Sequence, residues 1–144
     1  MRYYLDTSAL VKLVVNETGS AGVRVVVEAA SGLHTCRVAY PEARAAIAAM
    51  RRAARLDAAR SLASRASLEG AWLRFQVVEV TSSIATTAGD LAERHALRGF
   101  DAVHLAAALE VAGSDLIFAT WDARLWHAAQ AEGLRVLPAE PPGA

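Results

Sequence analysis

The chain has 144 residues, of which 54% are hydrophobic and 21% charged, and its 15 basic residues balance its 15 acidic ones. This length suits a single domain, and a net charge of zero argues against non-specific coating of nucleic acid. No apolar run reaches the ~18 residues that a membrane span needs, no basic and apolar leader precedes Asp6, and a single cysteine argues against a disulfide framework, so we expect a cytoplasmic protein.

Short apolar runs of strand length alternate along the chain with longer runs at helical spacing. The first strand ends at Asp6, and Thr7 or Ser8 is expected to cap the helix that follows, with a role for Asp6 as no more than a helix cap left open as the alternative. The valines at 23–27 fit a helix or a strand, and their spacing favours the helix. The predicted strands occupy residues 3–5, 33–36, 77–80, 116–119 and 134–137. Seven helices are predicted. The first follows Asp6, the second covers 23–30, the third covers 41–55, and the fourth begins after Asp57. The fifth runs from Ser82 or Ser83 to Gly99, the sixth covers 102–112, and the seventh runs from Asp122 to Gly133.

This alternation predicts an α/β fold, a three-layer α/β/α sandwich around a central, mostly parallel sheet. Residues 1–137 form one domain in this interpretation, and residues 138–144 form a disordered tail. Ligands of open α/β sheets bind at the carboxyl ends of the strands. Side chains at those ends are therefore the first candidates for function.

Four carboxylates stand where predicted elements begin or end. Asp6 and Asp122 each follow a strand, while Glu42 and Asp101 each lie in the first turn of a helix. A structural role accounts for any one of them, because an acidic side chain in a first turn gains about 0.3–1 kcal/mol from the helix dipole. If the sheet is parallel, however, all four can meet at one edge.

Carboxylates that meet repel one another unless a cation offsets their charge. Mg²⁺ and Mn²⁺ prefer oxygen ligands, and such a site suits the hydrolysis of phosphodiesters. The sequence has no thiolate set for zinc, no glycine-rich phosphate loop and no G-x-S-x-G nucleophile motif. The histidines are scattered along the chain at His34, His95, His104 and His127.

Three segments and one isolated acid carry a family resemblance. Residues 5–13 read LDTSALVKL, residues 97–109 read LRGFDAVHLAAAL, residues 119–125 read ATWDARL, and Glu42 lies between the first two. Together they resemble the PIN-domain nucleases and, more closely, the VapC toxins of type II toxin–antitoxin systems. The resemblance extends from about residue 2 to residue 137.

The resemblance implies a Mg²⁺- or Mn²⁺-dependent endoribonuclease with an α/β/α sandwich. Asp6, Glu42, Asp101 and Asp122 match the acidic quartet of the family, with catalytic and metal-binding roles. Thr7, Ser8 and Thr120 match hydroxyl positions beside that quartet, where they orient ligands or serve as helix caps. For His104, one turn after Asp101, packing between helices is the favoured role.

The resemblance also implies partners: an RNA substrate, a VapB-like antitoxin, and a second copy of the chain in a homodimer. Helices between residues 41 and 75 are rich in alanine and carry apolar stripes, which offer a groove for an antitoxin segment or simply pack in the core. No membrane partner is expected.

Three other interpretations remain. A PIN-domain nuclease can process RNA without being a toxin, although the chain shows no additional RNA-binding module. A receiver-like signalling domain also binds Mg²⁺ on an α/β fold, but it requires adjacent acids near the first strand and a lysine after the last. Here Asp6 has no acidic neighbour, and Lys12 is the sole lysine. A catalytically silent PIN scaffold is disfavoured because all four acids are present.

Overall fold

The computed structural model of the chain describes residues 1–143. Five strands and seven helices alternate along it as the apolar pattern predicts. The strands are β1 (Arg2–Leu5), β2 (Gly32–Cys36), β3 (Gln76–Val78), β4 (Leu116–Ala119) and β5 (Arg135–Leu137). The helices are α1 (Thr7–Val14), α2 (Ser20–Ala29), α3 (Ala39–Arg52), α4 (Ala58–Trp72), α5 (Ser82–His95), α6 (Gly99–Glu110) and α7 (Ala123–Ala131).

All five strands pair in parallel, in the order β3-β2-β1-β4-β5. The chain therefore moves outwards from β1 to β3, returns beside β1, and moves outwards again to β5. The point where the direction reverses lies between β1 and β4, and Leu5 pairs there with Ala119. In open α/β sheets this switch point is where ligands bind.

Two apolar clusters pack on opposite faces of the sheet because successive strand residues point to opposite sides. Tyr4 belongs to the cluster under α5, α6 and α7, where its ring stacks on Phe118 with centroids 5.4 Å apart. Leu5 belongs to the cluster under α1 to α4. This arrangement of helices on both faces of a parallel sheet confirms the predicted α/β/α sandwich.

Several predicted element ends are wrong by a few residues. Thr81 caps α5, not Ser82 or Ser83, because its hydroxyl accepts the Ile84 amide. Gly99 does not end α5, which stops at His95 with Ala96 in the left-handed region; Gly99 begins α6 instead. The helix predicted to reach residue 55 ends at residue 52.

The C-terminal segment lies beyond β5. Residues 138–143 form bends and a turn without helix or strand, and the indole of Trp126 donates to the carbonyl of Pro138. Ala144 lies outside the described residues, and the disorder predicted for 138–144 stays a prediction. No helix within residues 1–143 is long and apolar enough to cross a membrane.

Candidate functional site

A cleft of about 400 Å³ opens at the carboxyl ends of β1 and β4, beside the switch point of the sheet. All four acids singled out from the sequence line it, although they come from four different elements. Five carboxylates and two permanently basic side chains face this space. The lining residues are Asp6, Thr7, Ser8, Val11, Lys12, Glu17, Glu42, Ala46, Arg98, Asp101, His104, Trp121 and Asp122.

Asp6 lies at the bottom of the cleft, only 3% exposed. Its backbone N–H donates to the carbonyl of Ala119, so the residue continues the pairing of β1 with β4. Its Oδ1 accepts the Ala9 amide at 2.9 Å, which makes Asp6 itself the N-cap of α1. The expectation that Thr7 or Ser8 caps this helix is therefore wrong, because the preceding carboxylate reaches the free amide first.

Two hydroxyls hold the Asp6 carboxylate in place. Ser8 Oγ donates to Oδ1 at 2.7 Å, and Thr120 Oγ1 donates to Oδ2 at 2.6 Å. Each hydroxyl also accepts a backbone amide from the loop after β4, Ser8 from Trp121 and Thr120 from Asp122. Burial raises the pKa of Asp6 above its usual value, although these hydrogen bonds and His104 act in the opposite direction.

Glu42 reaches the same cleft from the first turn of α3. Its Oε1 accepts a hydrogen bond from Thr7 Oγ1 at 2.6 Å and one from His104 Nε2 at 3.0 Å. Burial raises the pKa of Glu42, but the bonds from His104 and Thr7 outweigh that effect and leave it below its usual value. Glu42 is therefore a carboxylate at neutral pH.

His104 lies under Glu42 at 1% exposure, as a packed histidine would, yet it also contacts the cleft. Its Nδ1 faces Tyr4 Oη at 3.1 Å and Cys36 Sγ at 3.5 Å on the core side. Burial lowers the pKa of His104, but bonds to Cys36 and Glu42 outweigh it and raise the pKa to about 10. A buried imidazolium therefore supports the Glu42 carboxylate from below.

Asp101 and Asp122 form the outer wall. Asp101 lies in the first turn of α6, and Asp122 caps α7 by accepting the Leu125 amide at 2.8 Å. Arg98 joins them: its Nε is 2.9 Å from Asp101 Oδ2 and its Nη2 is 3.3 Å from Asp122 Oδ2. Sequence reasoning missed Arg98 as a site residue, although its position three residues before Asp101 at a helix start is the signal that identifies it.

The opposite wall comes from α1 and from its connection to α2. Lys12 Nζ donates to Glu17 Oε1 at 3.1 Å and to the carbonyl of Thr18 at 2.8 Å. The same ammonium lies 5.6 Å from the ring centroid of Trp121. Lys12 thus binds Glu17 and Thr18 on the same side of the cleft and does not pair with the four acids.

The donor set of the cleft fits a hard divalent cation. Its charged donors are carboxylate oxygens, the ligands that Mg²⁺ and Mn²⁺ prefer. Burial raises the pKa of Asp6 because its hydrogen bonds do not fully offset the loss of solvation, and a bound cation would offset that loss further. Within residues 1–143, no three acidic, histidine or cysteine side chains already form a cluster that could hold an ion. Arg98 instead joins Asp101 to Asp122.

Comparison with known proteins gives consistent matches. Residues 3–131 match the family profile described as PIN domain. Ribonuclease VapC45 of Mycobacterium tuberculosis is 43% identical over 137 residues, which cover 95% of each chain. The fold resembles PAE2754 from Pyrobaculum aerophilum, with a TM-score of 0.68, 22% identity, and coverage of 94% of this chain and 89% of that one. It also resembles DNA-bound VapBC from Salmonella typhimurium, with a TM-score of 0.65, 16% identity, and coverage of 94% and 96%.

Proposed function

The chain belongs to the PIN-domain family and, within it, to the VapC ribonucleases, and from this membership we propose that it is the endoribonuclease toxin of a toxin–antitoxin pair. The observation that carries the proposal is the common cleft: Asp6, Glu42, Asp101 and Asp122 all line it at the switch point of the sheet. Family membership indicates the reaction, and the shared cleft supports these four acids as the residues that perform it.

We propose Asp6, Asp101 and Asp122 as ligands of Mg²⁺ or Mn²⁺, with Glu42 at the rim of the same site. Such a cation, when bound, stabilises charge on the attacked phosphate and activates water. The protein contributes rigid placement: hydroxyls of Ser8 and Thr120 fix both oxygens of Asp6. Thr120 also accepts the Asp122 amide, so one hydroxyl links the Asp6 carboxylate to the backbone of Asp122.

The proposed reaction is hydrolysis of a phosphodiester bond in RNA. Water attacks phosphorus, one phosphorus–oxygen ester bond breaks, and the departing oxygen takes up a proton. Glu42 is ionised at neutral pH because Thr7 and His104 donate to it. It therefore contributes negative charge that attracts the cation at the rim without having to lose a proton first.

We propose a VapB-like antitoxin and a second copy of the chain as partners. The structural relative from Salmonella typhimurium is a VapBC assembly. In this chain, a groove of about 540 Å³ between α3 and α4 is lined by Arg44, Arg51 and Arg65 together with Ile47 and Leu62. That combination fits a segment that carries both acidic and apolar side chains.

The test is cleavage of RNA by the purified protein in Mg²⁺ or Mn²⁺, with and without EDTA. We expect cleavage that chelation stops, and loss of cleavage in Asp6→Asn. The matched control is Asp90→Asn, which removes the charge of an exposed acid on α5 outside the cleft. Cleavage undiminished in EDTA, or equal in both variants, would contradict the proposal.

The role as a toxin has a separate readout. We expect induction of the chain alone to stop growth, and induction of Asp6→Asn to leave growth unaffected. Sequencing of RNA ends after induction identifies the cleaved RNA. Normal growth together with metal-dependent cleavage in vitro would favour an RNA-processing nuclease instead.

A further inference from the structure

Arg98 neutralises two carboxylates that belong to the proposed metal site. Two different nitrogens of one guanidinium contact Asp101 and Asp122, at 2.9 and 3.3 Å. The hydrogen bond with Asp101 and the charges of Asp122 and Glu42 raise the pKa of Arg98 further, so the side chain stays cationic. The Arg98 guanidinium therefore lies close enough to Asp101, Asp122 and Glu42 for all three charges to act on it.

The ion pairs that hold the Arg98 guanidinium are weak. The side chain of Arg98 is 77% exposed, while those of Asp101 and Asp122 are 19% and 31% exposed. Exposed ion pairs contribute little because water screens them and long side chains lose entropy. The guanidinium also makes no capping bond at the start of α6. Arg98 can therefore leave the two carboxylates without disturbing the helix.

Asp101 and Asp122 cannot bind Arg98 and a divalent cation at full strength at the same time. Each contacts Arg98 through its Oδ2 atom, and a bound cation would bring a second positive charge to that place. Lys12, the other basic side chain of the cleft, is engaged by Glu17 and Thr18. Of these two basic side chains, only Arg98 pairs with proposed metal ligands, namely Asp101 and Asp122.

We propose that Arg98 is a built-in counter-ion that competes with the divalent cation for Asp101 and Asp122, and that the displaced guanidinium then binds a phosphate of the RNA. The inference rests on the proposed function and adds a residue to it. In the absence of the cation, Arg98 lowers the repulsion between the carboxylates. In its presence, the same side chain becomes a positioning residue for substrate.

Two features support the second step. Arg98 and Asp101 line the acidic cleft and also a neighbouring groove of about 670 Å³ between α5 and α6. Arg98 therefore borders both spaces, so a phosphate of an RNA strand that lies in the groove and enters the cleft would come within reach of its guanidinium. A guanidinium offers planar, paired donors that match phosphate oxygens, unlike an ammonium.

The decisive experiment measures Mn²⁺ binding by calorimetry without RNA, for the wild-type protein, Arg98→Ala, Arg98→Lys and Arg94→Ala. Arg94 is the matched control because it is an exposed arginine that pairs with Glu132 outside the cleft. We expect Arg98→Ala to bind Mn²⁺ about fivefold more tightly than the wild type. Arg98→Lys should fall between them, and Arg94→Ala should match the wild type.

Cleavage kinetics at saturating Mn²⁺ provide the second readout. We expect Arg98→Ala to lose about tenfold in kcat/KM for RNA, mainly through KM, although it binds metal more tightly. A damaged cleft would weaken both metal and RNA binding, so the opposite signs identify competition. Thermal unfolding of each variant verifies that it is folded.

The possible failures are distinguishable. If the wild type binds Mn²⁺ and cleaves RNA while Arg98→Ala binds Mn²⁺ no more tightly than Arg94→Ala, the competition is refuted and the proposed function stands. Tighter metal binding with an unchanged KM overturns the phosphate contact. If the wild type binds no Mn²⁺ and cleaves no RNA, the proposed function fails and the inference with it.

Discussion

Asp6 combines two roles that usually belong to different residues. It caps α1 through the Ala9 amide, and it places a buried carboxylate at the bottom of the cleft. Asparagine can keep the cap, because Asn and Asp are equivalent there, but it removes the charge. The two roles can therefore be separated by the choice of substitution.

We expect Asp6→Asn to abolish cleavage while the metal-free protein melts at the same or a higher temperature. Burial raises the pKa of Asp6, so its ionised form costs stability at neutral pH and the neutral amide avoids that cost. Asp6→Ala should instead lose about 1 kcal/mol or more of unfolding free energy with the cap. Thermal and urea unfolding measure both effects. A marked drop in the melting temperature of Asp6→Asn would contradict this expectation and show that the carboxylate, which accepts from Ser8 and Thr120, stabilises the fold.

His104 predicts a pH dependence of stability. Its folded pKa is raised to about 10, whereas an unperturbed histidine titrates near 6.5. A raised pKa means that the folded state favours the protonated form, so its stabilisation is complete below about pH 6.5 and is lost as the pH rises towards 10. The groups that contact or act on the imidazole are Tyr4, Asp6, Thr7, Cys36 and Glu42.

We expect His104→Gln to unfold with a weaker pH dependence than the wild type between pH 6.5 and 10. Glutamine is neutral over this range, so it removes the contribution of the imidazolium. Loss of the charged partner of Glu42, whose side chain is 27% exposed, should also cost about 2 kcal/mol near neutral pH. Urea unfolding at a series of pH values measures both differences. Parallel curves for the two proteins would exclude a protonated His104.

At the scale of elements, the connection from α1 to α2 forms one wall of the cleft. Gly19 caps α2 with φ +92°, a value that favours glycine. A β-carbon at this position would lie 3.1 Å from Trp121 Nε1 and 3.2 Å from Lys12 Cδ. The turn is thus fixed both by its backbone angle and by close packing on Trp121.

We expect Gly19→Ala to lower the unfolding free energy by about 1–3 kcal/mol, because the backbone is strained and Trp121 must shift. The matched control is Gly22→Ala in α2, where a β-carbon would have no neighbour within 4 Å. That substitution should stabilise the protein by about 0.4–1 kcal/mol, since alanine restricts the unfolded chain. Urea unfolding of both variants is the measurement. Equal effects would show that the turn is not constrained.

At the scale of the whole molecule, divalent metal should stabilise the fold. An ion that binds only the folded state raises its stability by about 2.7 kcal/mol at a hundredfold excess over Kd. We expect Mn²⁺ to raise the melting temperature, EDTA to reverse the rise, and Asp6→Asn to reduce it. An identical rise in Asp6→Asn would place the bound metal elsewhere.

We also expect a homodimer in solution through helical surface outside the acidic cleft. Leu73 at the end of α4 is 87% exposed and lies outside the groove proposed for the antitoxin, and such a side chain gains from burial against a second copy. Light scattering at micromolar concentration should give about twice the 15.2 kDa mass of the chain. A single species at the monomer mass would contradict this expectation.

The order and type of the elements could be read from the sequence because the signals are local. Apolar runs such as residues 116–119 match β4 in full, and Asp57 caps α4 as expected. Helix ends were less predictable. Glycine commonly ends a helix, yet Gly99 begins α6, and α5 ends earlier, where Ala96 adopts the left-handed conformation. The PIN-domain and VapC resemblance, carried by three short segments, is confirmed by the family match over residues 3–131.

The sequence alone thus determined the α/β class and the family, and it singled out the four acids that line the cleft, because each depends on neighbouring residues or a short motif. Only the tertiary structure decided how the acids are held. Thr120 reaches Asp6 across 114 positions, and His104 reaches Glu42 across 62. The first contact exists because β4 returns beside β1, and the second because α6 packs against β2, the strand that precedes α3. Strand order of this kind depends on packing between distant segments. No local pattern of apolar residues or helix caps encodes it.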